Sequence, residues 1–367
     1  MSNTESLNRK LKQAFIGLIA KHTGLEIRER DQASLSDKIF LRMKSIKLYF
    51  PEAYYQLLES NTPDSQEEWK NIVVLLTNIE SYFFRDQEQF NLLRNNIFPE
   101  LIKRKQNNKT IRLCSAGCSS GEEPYSLAIL LKELIPDLEQ WNLMILGIDI
   151  NQEALQKAKT GIYSPWSFRR VDEEIKQRYF RLINNQYHID QQIKQMIKFQ
   201  TSNLVKDPFP QQNPELRDID LILCRNVFIY FEASAIAKVL DKFYHTLQPL
   251  GYLITGHAEL YDQNLNQFQT KVFPESLVYQ RQADNLVETP RVSLASDSNL
   301  LPVEDLSAEV NYSALEIALE NSNIKMQQAA LNFLKQLPPN TKIPRVGNLT
   351  AAELILQLET ALKGIDQ

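Results

Sequence analysis

The chain has 367 residues, 43% hydrophobic and 23% charged, which suits two to three folded domains and excludes disorder throughout. No apolar run approaches the ~20 residues that span a bilayer, and the opening MSNTESLNRK lacks a signal peptide's apolar core, so a soluble, cytoplasmic protein without membrane insertion is expected. Three cysteines and four histidines give no disulfide framework and no metal-ligand spacing, and a net charge of −4 argues against a global polycation for nucleic acid.

The first apolar stripe is Leu7, Leu11, Phe15, Leu18 and Ile19, which share a helical face up to Gly24. Leu35, Ile39, Met43 and Ile46 mark a second helix, residues 51–60 a third and 64–76 a fourth. Residues 1–76 thus read as a helical N-terminal domain. From about residue 110 the texture becomes strand, turn, helix. Strands are expected over 111–115, 143–148, 219–224 and 252–255, and helices over 124–134, 151–159 and 232–247. This alternation predicts an α/β fold with a parallel sheet covered on both faces. Residues 269–273 and 277–280 predict an antiparallel hairpin on the sheet edge. Residues 283–310, rich in Ser, Asp, Asn and Pro, read as a linker, and 311–367 as a helical tail with helices over 311–320, 324–337 and 350–363. Charge is uneven: residues 1–50 carry ten Lys/Arg against five Asp/Glu, and 284–367 six against eleven. A basic head and an acidic tail suit different partners; ordinary solvated helix faces would look the same.

The run Ser115-Ala-Gly-Cys-Ser-Ser-Gly-Glu-Glu-Pro124 lies between the first strand and its helix, where open α/β sheets bind nucleotide-like ligands. It has neither the Gly-x-Gly-x-x-Gly spacing nor the Gly-Lys-Ser/Thr of a phosphate loop. Glu122 and Glu123 at the helix start would repel a pyrophosphate and suit an amine, a sulfonium or ribose hydroxyls; helix-dipole complementarity is the competing explanation. Asp149 ends the second strand, where an acid accepts ribose hydroxyls or caps a helix. Together these sites point to a nucleoside without a polyphosphate, and S-adenosylmethionine (SAM) fits.

Six motifs in order carry a resemblance: Glu80-Ser-Tyr-Phe-Phe-Arg-Asp86, Ser115 to Pro124, Gly147-Ile-Asp149, Asn203-Leu204, Cys224-Arg-Asn-Val-Phe-Ile-Tyr-Phe231 and Gly256-His-Ala-Glu259. Over residues 10–282 the chain resembles the chemotaxis-receptor methyltransferase (CheR) family, which moves a methyl group from SAM to receptor glutamates. The resemblance implies a Rossmann-like SAM-dependent methyltransferase domain over 77–282, with a small antiparallel β subdomain near 181–200. It implies catalytic roles for Arg85 and Tyr230, and cofactor contacts for Ser81, Arg85, Glu122, Asp149, Asn203, Leu204, Arg225 and Asn226. S-adenosylhomocysteine would be the product, and no metal is required. Ile79, Ser81, Ala258 and Gln32 depart from residues frequent in the family, and Ile79 removes one polar group from the cofactor side.

Methyl transfer to glutamate needs little acid–base help, because a carboxyl of pKa ~4.3 is already ionised at neutral pH. Alignment and water exclusion are the demands. The implied partner is the cytoplasmic helical bundle of methyl-accepting chemotaxis receptors, whose acidic surface would meet Lys38, Arg42, Lys44 and Lys47. The competing functions are methylation of another protein substrate and a SAM-binding signalling module. Nothing in the sequence sets the oligomeric state.

Overall fold

The apolar stripes of the first 76 residues close on one another in a computed structural model of the chain, which describes residues 7–283 except 258, 261 and 262, and then residues 331, 334, 335, 339 and 349–363. Helix α1 (Arg9–Thr23) starts at Asn8, whose side chain accepts the Leu11 N–H, and stops at Gly24 in the left-handed region. Helices α2 (Gln32–Ser45), α3 (Pro51–Glu59) and α4 (Pro63–Leu76) follow. Phe15, Ile19, Leu35, Ile39, Tyr54, Leu58 and Trp69 form their common core. Each large apolar side chain buried there contributes roughly 1.5–3 kcal/mol. Ile46 falls just past α2 and is exposed, so that stripe ends one turn earlier than the periodicity suggests.

After α5 (Gln87–Leu92), a π-helical turn over Leu93–Ile97 and α6 (Phe98–Lys105), the strand–helix alternation begins. The elements are β1 (Thr110–Ala116), α7 (Glu122–Leu134), β2 (Asn142–Asp149), α8 (Gln152–Thr160), β3 (Ile162–Tyr163), α9 (Glu173–Tyr179), β4 (Phe180–Ile183), β5 (Gln186–Ile189), α10 (Gln191–Gln195), β6 (Ile197–Thr201), β7 (Ile219–Cys224), α11 (Ala233–Thr246), β8 (Leu247–Thr255), β9 (Phe268–Val272) and β10 (Leu277–Arg281). Every residue of β7 is buried, as a strand covered on both faces requires.

Two compact units divide the chain, Met1–Gln248 and Pro249–Gln367. In the first, β1 pairs in parallel with β2 on one side and β7 on the other, and β6 extends the sheet beyond β2. In the second, β10 pairs antiparallel with both β8 and β9, which is the expected hairpin. The strand order is β6-β2-β1-β7 in the first unit and β8-β10-β9 in the second. The chain direction of winding reverses between β1 and β7, and the crevice beyond their carboxyl ends is the place for a ligand.

A separate three-stranded sheet has the order β3-β5-β4. It is drawn from residues 162–189. Asp190 caps α10 and ends the hairpin, and residues 197–201 leave as β6 to join the large sheet, so 181–200 contains only part of the small one. In the C-terminal region, helix α12 (Ala351–Lys363) is described. The expected linker, apart from residue 283, and the expected helix over 311–320 lie outside the described residues, as does Ala258. Among the described residues no helix is long and apolar enough to cross a membrane.

Candidate active site

The turn after β1 opens a cleft that its own backbone shapes. Gly117 has φ 76°, and a Cβ there would stand 2.3 Å from Val227 Cγ2, so only glycine lets the turns after β1 and β7 approach. Around the same cleft Phe84, Asp86, Ser119 and Asn226 all hold φ between 49° and 60°. Such values are uncommon for non-glycine residues and costly for a bulky one, and they persist where surroundings over-determine them. Here the segment joining the head to the sheet is sewn down repeatedly. Ser119 Oγ donates to the Ile79 carbonyl (3.1 Å), Phe83 N–H to the Ser167 carbonyl (3.0 Å) and Phe84 N–H to Ser126 Oγ (3.0 Å). The Phe83 ring packs into Tyr163, Phe168 and Phe180, which ties this segment to the small sheet.

Asp149 lines the cleft from the end of β2. Its Oδ2 accepts Ser119 N–H (2.7 Å) and its Oδ1 accepts Asn151 N–H (2.8 Å). Burial pushes its pKa up, and the backbone N–H groups of Asn151, Ser119 and Ile150 pull it back. Each oxygen retains acceptor capacity for a further donor. The two glutamates at the start of α7 separate. Glu123 lines the cleft and accepts from Ser115 Oγ (2.7 Å) and Arg225 Nη1 (3.1 Å). Glu122 is buried outside the cleft lining, accepting from Ser120 Oγ (2.8 Å) and Ser167 Oγ (3.1 Å).

Arg225, with its side chain only 2% exposed, is the hub of the floor. Its guanidinium donates to Gln89 Oε1 (2.7 Å), Glu123 Oε2 (3.1 Å), Asp86 Oδ2 (2.8 Å) and the Arg85 carbonyl (2.5 Å). A planar five-donor fork is suited to fixing several acceptors at once. Arg225 thereby sets the backbone that presents Arg85. The Arg85 side chain reaches the Glu80 carbonyl (3.3 Å) and lies 5.6 Å from the Tyr82 ring centroid. Tyr230 also lines the cleft, is 40% exposed, and its hydroxyl accepts from Asn78 Nδ2 (3.3 Å). Asn78 Oδ1 in turn accepts Glu80 N–H (3.0 Å), which holds the amide in place. Ser81 and Asn226 also line the cleft.

The head closes a third side. Leu25 bridges Phe231, Glu26 N–H donates to the Tyr230 carbonyl (2.8 Å), and Arg28 donates to the Ile229 carbonyl (2.8 Å). Asn203 and Leu204 line the cleft just after β6. The Asn203 amide also works structurally: Nδ2 donates to the His22 carbonyl (2.8 Å), and Oδ1 accepts from Val205 N–H (3.0 Å) and Lys206 N–H (3.1 Å). Lys242 on α11 donates to the carbonyls of Leu204, Val205 and Asp207, caging that turn. Cys118 also lines the cleft, but burial pushes its thiol and that of Cys114 up, away from a reactive thiolate.

Ser81, Arg85, Asp149, Asn203, Leu204, Arg225, Asn226 and Tyr230, expected from sequence, therefore share one cleft, and Glu122 stands behind it. Asn78, Ser119 and Glu123 are among the further polar residues that line it. The basic residues of the head lie elsewhere. Lys44 and Lys47 are exposed and Lys38 half-buried. Arg42 turns inward instead, with two 2.8 Å bonds to Glu68, which also accepts from the Tyr54 hydroxyl (2.7 Å). Among the described residues no group of three His, Cys, Asp or Glu could hold a metal ion.

Residues 79–276 match the family model described as "CheR methyltransferase, SAM binding domain". The chain is 31% identical over 261 residues to the chemotaxis protein methyltransferase of Borreliella burgdorferi, covering 69% of this chain and 88% of that protein. It is 34% identical over 216 residues to chemotaxis protein methyltransferase 2 of Vibrio cholerae, covering 59% and 74%. The chemotaxis protein methyltransferase of Escherichia coli is 29% identical over 247 residues, with 66% and 81% covered.

Proposed function

We propose, for a chain that belongs to the CheR methyltransferase family, that the cleft esterifies glutamate side chains of methyl-accepting chemotaxis receptors. The protein is a SAM-dependent methyltransferase of chemotaxis signalling. The observation that carries the finer reading is the pairing of an acidic wall, Asp149 and Glu123, with Arg85 and Tyr230 in one cleft.

The residues present fit SAM. Asp149 has acceptor capacity left on both oxygens for ribose hydroxyls. Carboxylates suit a cationic sulfonium amino acid where a phosphate would be repelled. Asn203 and Leu204 flank the adenine side, with Leu204 supplying the apolar contact. SAM, when bound, supplies an electrophilic methyl group on a sulfonium.

The remaining work is positional. A substrate glutamate arrives as a carboxylate and needs no base. Arg85 has guanidinium N–H groups beyond the one held by the Glu80 carbonyl, and these take one carboxylate oxygen. The Tyr230 oxygen already accepts from Asn78, so its own O–H points away from Asn78 and donates to the same carboxylate. Two donors on one carboxylate leave its other oxygen aimed along a fixed line, which is where the rate gain lies. Ser81 and Asn226 bound the methionine end. The exposed Lys44 and Lys47 on the head steer an acidic helical bundle toward the cleft.

The test is transfer of tritiated methyl from SAM to receptor cytoplasmic fragments, read as base-labile volatile methanol. Label that survives base would move the reading to another acceptor group, and SAM binding without transfer to any fragment would leave a binding module.

A further inference from the structure

Beside the cleft mouth three side chains form a stack that the reading above does not use. The Arg169 guanidinium carbon lies 3.6 Å from the Tyr82 ring centroid and 4.6 Å from the Trp166 ring centroid. The guanidinium thus lies against two aromatic rings, a favourable place for it. Trp166 remains 66% exposed, leaving most of the largest side chain in the repertoire open to water. Tyr82 belongs to the cleft lining, whereas Arg169 and Trp166 do not. The stack therefore stands outside the cofactor pocket and shares one residue with it.

Its mounting is rigid. The short turn Pro165–Phe168 buries Ser167 and Phe168, and Ser167 bonds to Glu122 Oε1 and to Phe83 N–H. Trp166 is thus the outward residue of a turn fixed at both neighbours. An adjacent open groove is lined by Gln87, Pro165, Arg169, Arg170, Asp172 and Lys176, where three cations face one carboxylate. Lys176 is paired with Glu173, and Arg169 with Glu80 at 3.2 Å, a pair on a 58% exposed partner that an incoming carboxylate can replace. Among the described residues Arg170 forms no ion pair and is exposed.

We infer that the Tyr82–Arg169–Trp166 stack is a docking platform for the enzyme's own protein substrate, taking the acidic helical surface that flanks the methylated glutamate. This rests on the receptor-glutamate reading above. Trp, Tyr and Arg are the residue types over-represented among interface hot spots, and a pre-stacked arrangement loses little side-chain entropy on binding. Arg169 and Arg170 match an acidic partner. Tyr82 touches both the platform and Arg85, so a substrate seated on the stack lies within reach of the reacting carboxylate's clamp.

The experiment uses the full chain with Trp166→Ala, Arg169→Ala and Arg169→Lys. Cytoplasmic helical-bundle fragments of chemoreceptors are the probes. Methylation kinetics, fragment binding by anisotropy in the presence of S-adenosylhomocysteine, and SAM affinity are all measured. Trp166→Ala and Arg169→Ala are expected to raise KM and the fragment Kd by about ten-fold, the size of a modest hot spot. SAM affinity should stay within two-fold, and kcat for Trp166→Ala should be unchanged. Arg169→Lys, which keeps charge but not the planar stack, should recover only part of the loss. Wild-type methylation with unchanged KM and Kd in the variants overturns the platform and leaves the function standing. A fall in SAM affinity equal to the rise in KM overturns it too, since the stack would then support the cofactor cleft. A wild-type chain that neither binds nor methylates any fragment overturns both.

Discussion

For Asp149 the sequence leaves ribose binding and helix capping both open, and the structure puts it at the cleft with each oxygen accepting one backbone N–H. A buried bond to a charged acceptor is worth roughly 1.5–3 kcal/mol, so Asp149→Ala should weaken SAM binding by roughly 10- to 150-fold by calorimetry. An unchanged Kd in the folded variant would remove Asp149 from the cofactor site. Neighbouring glutamates are harder to read. Successive helical residues point about 100° apart, so only one of Glu122 and Glu123 can face the strand ends, and periodicity within a largely buried helix does not say which. Ile79 lies in the irregular segment after α4, where no periodicity applies; it is 49% exposed while the preceding Asn78 reaches Tyr230. Tyr230→Phe and Asn78→Ala should each lower kcat by about ten-fold or more while leaving SAM affinity within two-fold, because both act on the carboxylate rather than the cofactor. Loss of SAM affinity at unchanged kcat would reassign them to ground-state binding.

Helix α2 shows what an element adds to its residues. Its apolar stripe, Leu35, Ile39 and Met43, is readable from spacing, and so is its basic character. Spacing does not reveal that Arg42 points at Glu68, a residue 26 positions away on α4 whose side chain is 5% exposed. The guanidinium offsets the desolvation of that carboxylate, and burial with Glu68 pushes the Tyr54 hydroxyl up in turn. Arg42→Ala strands Glu68 with one neutral donor. The expected cost is roughly 2–3 kcal/mol, somewhat below a fully buried pair, which lowers Tm by roughly 3–6 °C in a chain of this size. Lys44→Glu and Lys47→Glu, on the exposed side, should leave Tm within about 1 °C and slow receptor methylation. That slowing should fade as salt is raised, since exposed charges are screened beyond about 8–10 Å. Calorimetric scans of the three variants beside a salt series of rates separate the two roles; a stable Arg42→Ala protein would return Arg42 to the substrate-facing set.

Over the whole molecule, the alternation of strands and helices makes the parallel core readable, while the order β6-β2-β1-β7 depends on contacts between distant segments that no local pattern encodes. The small sheet is foreseen near 181–200 and holds β5 and most of β4 there, but its bounds are not readable for the same reason: 197–201 and 186–189 are both short strands, and only the pairing of the former with β2 distinguishes them. The junction of head and sheet is another such product, and His22 is its titratable member. The ring stacks on Trp69 at 3.7 Å, its Nδ1 accepts from Lys206 Nζ (2.8 Å), and its carbonyl accepts from Asn203 beside the cleft. Burial, and then the positive charge of Lys206, lower its pKa from 6.5 to about 4, and Lys21 is the next cation, close enough to Lys206 to lower that lysine's own pKa. Above pH 6.5 the ring is neutral in both folded and unfolded chains, and its contribution is complete. As pH falls from 6.5 toward 4 the unfolded chain gains a proton that the native ring refuses, so stability is lost across that window. His22→Gln lacks this titration but also lacks the stack on Trp69. Thermal unfolding at a series of pH values should therefore show the wild type ahead of the variant at pH 7.5, with the gap closing between pH 6.5 and 4.5. A gap that stays constant across the series would mean that the imidazole is free to protonate in the folded protein and that the head is held to the sheet without it.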